Sequence, residues 1–198
     1  MKKNNKLARI LIIVLAAIIW FWRYDSLNDY YTSFSNISKE IYTAGEVVEF
    51  GKNFQNKGMC ADGYTISVNE FKILEYQEYI DTIDYVSDSS RLIPERIALV
   101  YVTITNINST ADGVMLTELS LHGIDNYVGM NHQLLNAVNP ELNGNAGIHL
   151  SPGESYDIIL PYNLFEMHFG KDTWKDINSY SFYLHITSFP TEIDIAVN

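Results

Sequence analysis

The stretch Glu95–Asn108 reads ERIALVYVTITNIN, and it decides the fold of this chain. Every second residue from Ala98 to Ile104 is apolar, whereas the positions between them carry Leu, Tyr and Thr. An alternation of period two is the pattern of a β-strand that turns one face toward a core. The stretch therefore predicts the central strand of a fold built from β-sheets.

Other segments with strand-like patterns surround this one along the chain. They are Gly45–Gly51, Gly63–Glu75, Val114–Leu121, Tyr156–Leu160, Tyr180–Thr187 and Ile193–Val197. The apolar row of the second segment changes phase between Val68 and Phe71, which predicts a β-bulge near Asn69 and Glu70. Seven or eight strands separated by turns predict an all-β fold, an antiparallel sandwich of two packed sheets.

The N-terminus has a basic start followed by an apolar run. MKKNNKLAR precedes thirteen apolar residues, Ile10–Trp22, and polar residues follow. Thirteen residues give only about 20 Å of helix, against a hydrocarbon core of about 30 Å. Extension back through Leu7, with the Arg9 side chain reaching the interface, would give a minimal span. We expect an uncleaved signal anchor, a single transmembrane helix with its N-terminus in the cytoplasm, and the alternative is a cleaved signal of a secreted protein.

These patterns divide the chain into three parts. Residues 1–23 form the predicted anchor, and residues 24–44 are polar, with scattered aromatic side chains and no clear period, as in a linker. Residues 45–198 contain the strand patterns and are expected to fold as the domain. The anchor would place this domain outside the cytoplasm, with the membrane as its first partner.

The charge of the chain is unevenly distributed. The formal net charge is −11, and after Tyr24 only eight basic residues face twenty-four acidic ones. A body this acidic repels phosphate groups, so we expect no binding to nucleic acid. Cys60 is the single cysteine and cannot form an internal disulfide, so the domain must be stabilised by packing.

The sequence contains no recognisable catalytic signature. The five histidines lack metal-ligand spacing, and neither a G-x-S-x-G elbow nor a phosphate-binding glycine loop is present. We therefore expect no enzymatic activity and no cofactor. A structure that brought histidines and carboxylates together in a cleft would revive an enzyme, such as a wall hydrolase, as a hypothesis. The histidines are His122, His132, His149, His168 and His185.

An acidic segment between residues 75 and 88 is a weak candidate for a metal site. Its carboxylates are spaced by three to four residues, which puts several on one side of a helix. A solvated acidic helix is the simpler interpretation, because the D-x-D-x-D-G pattern of a calcium loop is absent. The candidate ligands are Glu75, Glu78, Asp81, Asp84 and Asp88.

The connection Gly123–Asn145 is rich in Asn and Gly and is the longest predicted loop of the domain. Loops of this kind often carry the binding surface of a β-sandwich. We predict that Tyr127, Met130 and Leu134 contact a ligand there.

Several segments together resemble a known family. They are GEVVEFGKNF, DGYTISVNEFKILEY, ALVYVTITN, HLSPGESYDIILPYNLF, FYLHITSFP and IDIAV. They resemble a membrane-anchored extracytoplasmic domain family of unknown function from Gram-positive bacteria, which is related to telokin-like, immunoglobulin-like domains. The resemblance spans about Gly45 to Val197 and implies an immunoglobulin-like β-sandwich outside the membrane. It implies no active-site residues.

Two functions follow as hypotheses. The first is a non-catalytic extracytoplasmic module that binds a protein, a peptide or a cell-envelope polymer. The alternative is a module that responds to Ca²⁺ or another cation through the acidic 75–88 segment.

Overall fold

The computed structural model of the protein describes residues 4–33, 37–56, 58–83, 85, 92–110 and 113–198. The chain divides into two units, Met1–Ile37 and Ser38–Asn198. Strands make up 38% of the chain and helices 29%, and one N-terminal helix supplies much of the helical share, so the predicted β-rich domain is confirmed.

The first unit contains helix α1, Asn4–Ser33, which includes the apolar run Ile10–Trp22. Among the helices that the structure describes, none has an apolar stretch long enough to cross a membrane. The predicted transmembrane helix is therefore unsupported. In the sequence, Arg9 and Arg23 limit the uninterrupted apolar run to thirteen residues.

The described residues of the second unit form three sheets and four short α-helices. The strands are β1 Ser38–Thr43, β2 Val48–Glu49, β3 Tyr64–Glu75, β4 Arg96–Asn106, β5 Val114–Met115, β6 Ser120–His122, β7 Tyr127–Val128, β8 Gly147–Ile148, β9 Ser155–Leu164, β10 Tyr183–Thr187 and β11 Thr191–Ala196. The helices are α2 Tyr76–Thr82, α3 His132–Val138, α4 Glu166–Phe169 and α5 Lys171–Lys175. The sheets have the strand orders β1-β11-β10-β6-β7, β2-β3-β4-β9 and β5-β8. β1 runs parallel to β11, and the other pairings are antiparallel.

β4 is central to its sheet, as its alternation predicts. It pairs with β3 on one side and with β9 on the other. The predicted bulge is present, because Val68 pairs with Val102 and Glu70 with Tyr101, which leaves Asn69 as the extra residue. This extra residue restores the inward phase of the apolar row in β3.

Both large sheets contribute to one main core. The inward row of β4, from Ala98 to Ile104, packs in the same buried cluster as Leu121 of β6 and Leu184 of β10. Full burial of an aliphatic side chain of this size contributes about 1.5–3 kcal/mol. The core therefore holds the two sheets together and fixes which strand positions face outward.

A second, smaller core covers the other face of β4 near its start. Ile97 and Leu99 pack there against Tyr76 and Ile80 of α2 and against Leu134 of α3. The sequence predicts a half-buried strand, whereas this part of β4 is buried on both faces because α2 and α3 cover it. The helix α3 comes from the long connection after β6, so this contact positions the predicted binding loop.

Candidate functional site

A surface hollow lies beside the segment Tyr127–Asn131, and we call it the Tyr127 groove. Its volume is about 460 Å³. The apolar side chains of its lining include Leu92, Ile93, Pro94, Tyr127, Met130 and Phe165, and the amide-bearing ones are Asn131, Gln133 and Asn163. The groove thus combines apolar walls with a few polar groups, which is the usual make-up of a ligand site.

The segment that forms the groove crosses from one sheet to the other. Tyr127 and Val128 pair with β6 in the five-stranded sheet, and Met130 forms a bridge with Tyr162 of β9 in the four-stranded sheet. Val128 of this segment and Tyr162 of β9 are both buried. Pairing at both ends of the segment therefore holds the exposed side chain of Tyr127 on a fixed backbone.

Asn131 connects this segment to α3 and to β9. Its side-chain oxygen accepts a hydrogen bond from the Leu134 backbone N–H at 3.1 Å, which caps the first turn of α3. Its side-chain nitrogen donates to Asn163 Oδ1 at 3.2 Å. Both amide groups are thereby oriented at the edge of the groove.

The three predicted contact residues have different positions. Tyr127 and Met130 line the groove, and Tyr127 is 68% exposed. Leu134 is fully buried in the second core and is not available to a ligand, which corrects that prediction. The sequence analysis missed Leu92 and Ile93, which are 68% and 54% exposed and lie far away along the chain.

The acidic 75–88 segment is only partly described. Glu75 pairs with the Arg96 side chain at 3.0 Å, and Asp81 accepts from Gln77 at 2.7 Å. Glu78 is exposed on α2. Asp84 and Asp88 lie outside the described residues, so the calcium site stays a prediction.

A second candidate site lies on the outer face of the five-stranded sheet. His185 of β10 pairs in register with Asp194 of β11 and with Ser120 of β6. Because Leu184 and Ile186 face the core, the His185 side chain points away from it. The His185 side chain is nevertheless only 6% exposed. We call the group of Lys39, His122, His185, Ser188 and Asp194 the His185 cluster.

A continuous set of hydrogen bonds runs through this cluster. His185 Nδ1 lies 2.7 Å from Asp194 Oδ1, and His185 Nε2 lies 2.8 Å from Ser188 Oγ. The Lys39 ammonium group donates to Asp194 Oδ2 at 2.7 Å. Burial alone would raise the pKa of Asp194, but the hydrogen bonds from His185 and Lys39 outweigh burial and lower that pKa below its ordinary value.

His122 stacks on His185 with ring centroids 4.3 Å apart and planes 10° from parallel. Its Nε2 lies 3.0 Å from Ser120 Oγ. Burial lowers the pKa of His122, and the neighbouring His185 lowers it further. The neutral form of His122 is therefore favoured near neutral pH.

Within the described part of the chain, His122, His185 and Asp194 form a group that could hold a metal ion, with ligand atoms within 4.8 Å of one another. Two features oppose this use. The lone pairs of an imidazole lie in the ring plane, so two stacked, nearly parallel rings do not direct them at one ion. The Lys39 ammonium group already balances the charge of Asp194. The arrangement suits proton transfer along a hydrogen-bonded chain better than metal binding.

The comparisons with known proteins give a family and no activity. A functionally unknown protein from Listeria monocytogenes EGD-e has a solved structure that matches with 15% sequence identity and a TM-score of 0.40, over 78% of this chain and 82% of that chain. The comparison with curated proteins found no match. A family model described as a domain of unknown function, DUF5028, matches residues 39–193, and the chain therefore belongs to that family.

Proposed function

We propose that this protein is a binding module that holds a protein or peptide segment in the Tyr127 groove. The observation that carries the proposal is the group of exposed apolar side chains, Leu92, Ile93 and Tyr127, around one hollow of about 460 Å³. Contiguous apolar surface of this kind on a strongly charged domain is typical of an interaction site.

The polar groups of the groove favour a peptide among the ligand classes. The side-chain amides of Asn131, Gln133 and Asn163 lie in this lining, and an amide carries the same N–H and C=O groups as a peptide backbone. Tyr and Met are enriched at protein interfaces, and Tyr127 and Met130 lie beside these amides. An extended segment with one or two large apolar residues would match this lining.

We further infer that the domain is an immunoglobulin-like sandwich. The pairing of β4 with β9 in one sheet, and of β10 with both β6 and β11 in the other, supports this arrangement. Loops that join the strands of such a sandwich often carry its binding surface, and the Tyr127 groove lies in the connection between β6 and β9.

An extracytoplasmic location is also part of the proposal. The basic start and the apolar run Ile10–Trp22 support export of the chain. Protease added to intact producing cells, or to the medium, should cleave the domain while a cytoplasmic marker stays intact. Protection of the domain until the cells are lysed would contradict the location.

Selection of binding peptides tests the groove. A random peptide library displayed on phage would be selected on the immobilised full chain, and enriched peptides would be synthesised and titrated. We expect enrichment of sequences with aromatic or aliphatic residues. Tyr127→Asp should weaken their binding at least ten-fold, because an aromatic side chain at an interface centre often contributes more than about 1.4 kcal/mol.

Ile124→Asp is the matched control. Ile124 is 74% exposed in the same connection and does not line the groove. Its backbone N–H, which donates to the Tyr180 hydroxyl, is kept in this variant. Failure of any sequence to enrich, or equal losses in the two variants, would overturn the proposal.

A further inference from the structure

We propose that Ser188 is a nucleophile activated by His185 and Asp194, and that its hydroxyl oxygen accepts an acyl or phosphonyl group from an activated donor. The inference is independent of the Tyr127 groove, because it rests on the His185 cluster alone. It assigns bond-forming chemistry to a part of the sheet where the sequence shows no catalytic motif.

The protonation states follow from the hydrogen bonds. Asp194 is nearly fully buried, but the hydrogen bonds from the Lys39 ammonium group and His185 outweigh burial and keep it an ionised acceptor. Its partner, His185 Nδ1, must then carry the proton, which leaves the Nε2 lone pair free to accept from the Ser188 hydroxyl. Carboxylate, imidazole and serine thus occur in the order that activates a serine for attack.

Among Asp194, His185 and Ser188, a reagent can reach Ser188. Asp194 and His185 are buried, whereas Ser188 is partly exposed. It lies just after the end of β10, in the short turn that leads to β11. The buried members are held in register by strand pairing, which keeps the base aligned with the exposed hydroxyl.

The backbone around Ser188 is also fixed. The N–H groups of Ser188 and Phe189 both donate to the carbonyl oxygen of Phe54, at 3.1 and 3.0 Å. The Gln55 side-chain amide donates to the His185 carbonyl oxygen at 3.3 Å. A hydroxyl held by its backbone and its base together loses little freedom when it reacts.

The transfer step is balanced within these groups. Ser188 Oγ attacks the acyl carbon or the phosphorus atom of the donor and forms the new bond, while its proton passes to His185 Nε2. The bond from that carbon or phosphorus to the leaving group breaks, and the leaving group takes the bonding electrons. Asp194 stabilises the imidazolium ion, which gives its proton to the leaving group or to water.

The same contacts predict a slow reaction. The backbone N–H groups of Ser188 and Phe189 already donate to the Phe54 carbonyl oxygen, so they do not stabilise an oxyanion. Loss of one such donor lowers the rate of hydrolytic enzymes by about 10²–10³. We therefore expect Ser188 to take up one group and keep it, with an adduct that accumulates, instead of rapid turnover.

Labelling with a fluorophosphonate probe tests the proposal on the full chain. The leaving group is fluoride, and the adduct would be found by intact mass and located by peptide mapping. We expect one adduct, on Ser188, formed at least ten-fold faster than on Ser38 or Ser155. These two exposed serines bond the hydroxyl groups of Thr191 and Thr105 instead of an imidazole. Ser188→Ala should remove it.

His185→Gln should slow labelling at least ten-fold, and circular dichroism would show whether that variant folds. The pH profile of the unaltered chain gives a second measurement that does not depend on a variant. That measurement is the rate at Ser188 relative to Ser38 and Ser155, which should stay at least ten-fold higher as the pH is varied. No adduct on Ser188 in the folded chain, or equal labelling of the control serines, would overturn the proposal.

Ser188→Cys provides an independent test with iodoacetamide. The new thiol would face the same imidazole, so alkylation there should be at least ten-fold faster below pH 7 than at Cys60 in the same molecule. Adding His185→Gln to this variant should remove the difference. Alkylation of both thiols with the same pH profile would contradict activation by His185.

Discussion

The side chain of Asn139 pairs with both backbone polar groups of Ile159. Its nitrogen donates to the Ile159 carbonyl oxygen at 2.8 Å, and its oxygen accepts from the Ile159 N–H at 2.9 Å. One side chain therefore satisfies the free edge of β9 as a neighbouring strand would. The next outward position of this edge is Pro161, which has no N–H and whose carbonyl oxygen accepts from Asn131.

Asn139→Ala should lower the free energy of unfolding by about 2–4 kcal/mol, because it leaves two backbone groups of a largely buried edge without partners. Denaturation by urea would measure the change. Asn69→Ala is the control, since Asn69 is exposed and its side chain bonds the hydroxyls of Thr103 and Ser67 at the surface, so its effect should stay under about 1 kcal/mol. Equal losses would mean that the β9 edge does not depend on Asn139.

The two faces of β4 should respond differently to polar substitution. Val102→Asp places a carboxylate in the main core and should unfold the domain. Thr103→Asn should leave the domain folded, because the Thr103 hydroxyl donates to Asp157 at the surface. Circular dichroism and thermal melting of both variants would check this. A folded Val102→Asp variant would show that the inward face is assigned wrongly.

His122 should make the domain less stable in mild acid. Its folded-state pKa lies below that of the unfolded chain, about 6.5, so the unfolded chain binds more protons in this range. The free energy of unfolding should therefore fall as the pH drops through about 6.5 and down to the lowered folded-state pKa. Urea denaturation at a series of pH values measures it, and His122→Gln should flatten this part of the curve.

His149→Gln is the matched control for the pH experiment, because His149 is exposed. The lowered pKa of Asp194 acts in a separate range, since its contribution is present above pH 3.8 and is lost only as the pH falls through its folded-state pKa. An unchanged slope in His122→Gln would contradict the role of His122.

Lys39 should matter more to stability than its surface position suggests. It bonds both Glu192, which is partly exposed, and Asp194, whose side chain is 3% exposed. Lys39→Met leaves a buried carboxylate with one partner fewer, whereas Glu192→Gln alters only the solvated pair. Thermal melting should show the larger decrease for Lys39→Met, and the reverse order would count against a buried ion pair at Asp194.

The strands could be predicted from the sequence where one face is in the core. The row from Ala98 to Ile104 and the phase change at Asn69 are local patterns, and both appear in the fold as expected. The burial of Leu134 does not follow from a local pattern of this kind. Whether a leucine in a loop is exposed depends on what packs over it, and here α3 lies on Ile97 and Leu99.

The His185 cluster could not be located from sequence spacing, because its members meet only through strand pairing. β6, β10 and β11 bring together residues 122, 185 and 194, and no short motif encodes that register. One signal was available in retrospect. His185 and Asp194 both alternate with buried aliphatic residues, so each had to lie on the outer face of its strand.

The parallel pairing of β1 with β11 determines how the domain resists a pull on its N-terminal side. β1 is the first element after the N-terminal unit, and its six residues pair with β11 from Ser38 to Thr43. Tension that reaches the domain from its N-terminal side is therefore carried by six pairs loaded in shear, with the Lys39 bond to Asp194 near the point where the force enters. A pull strong enough to displace β1 would remove the ammonium group from Asp194 and change how strongly that carboxylate holds the His185 proton.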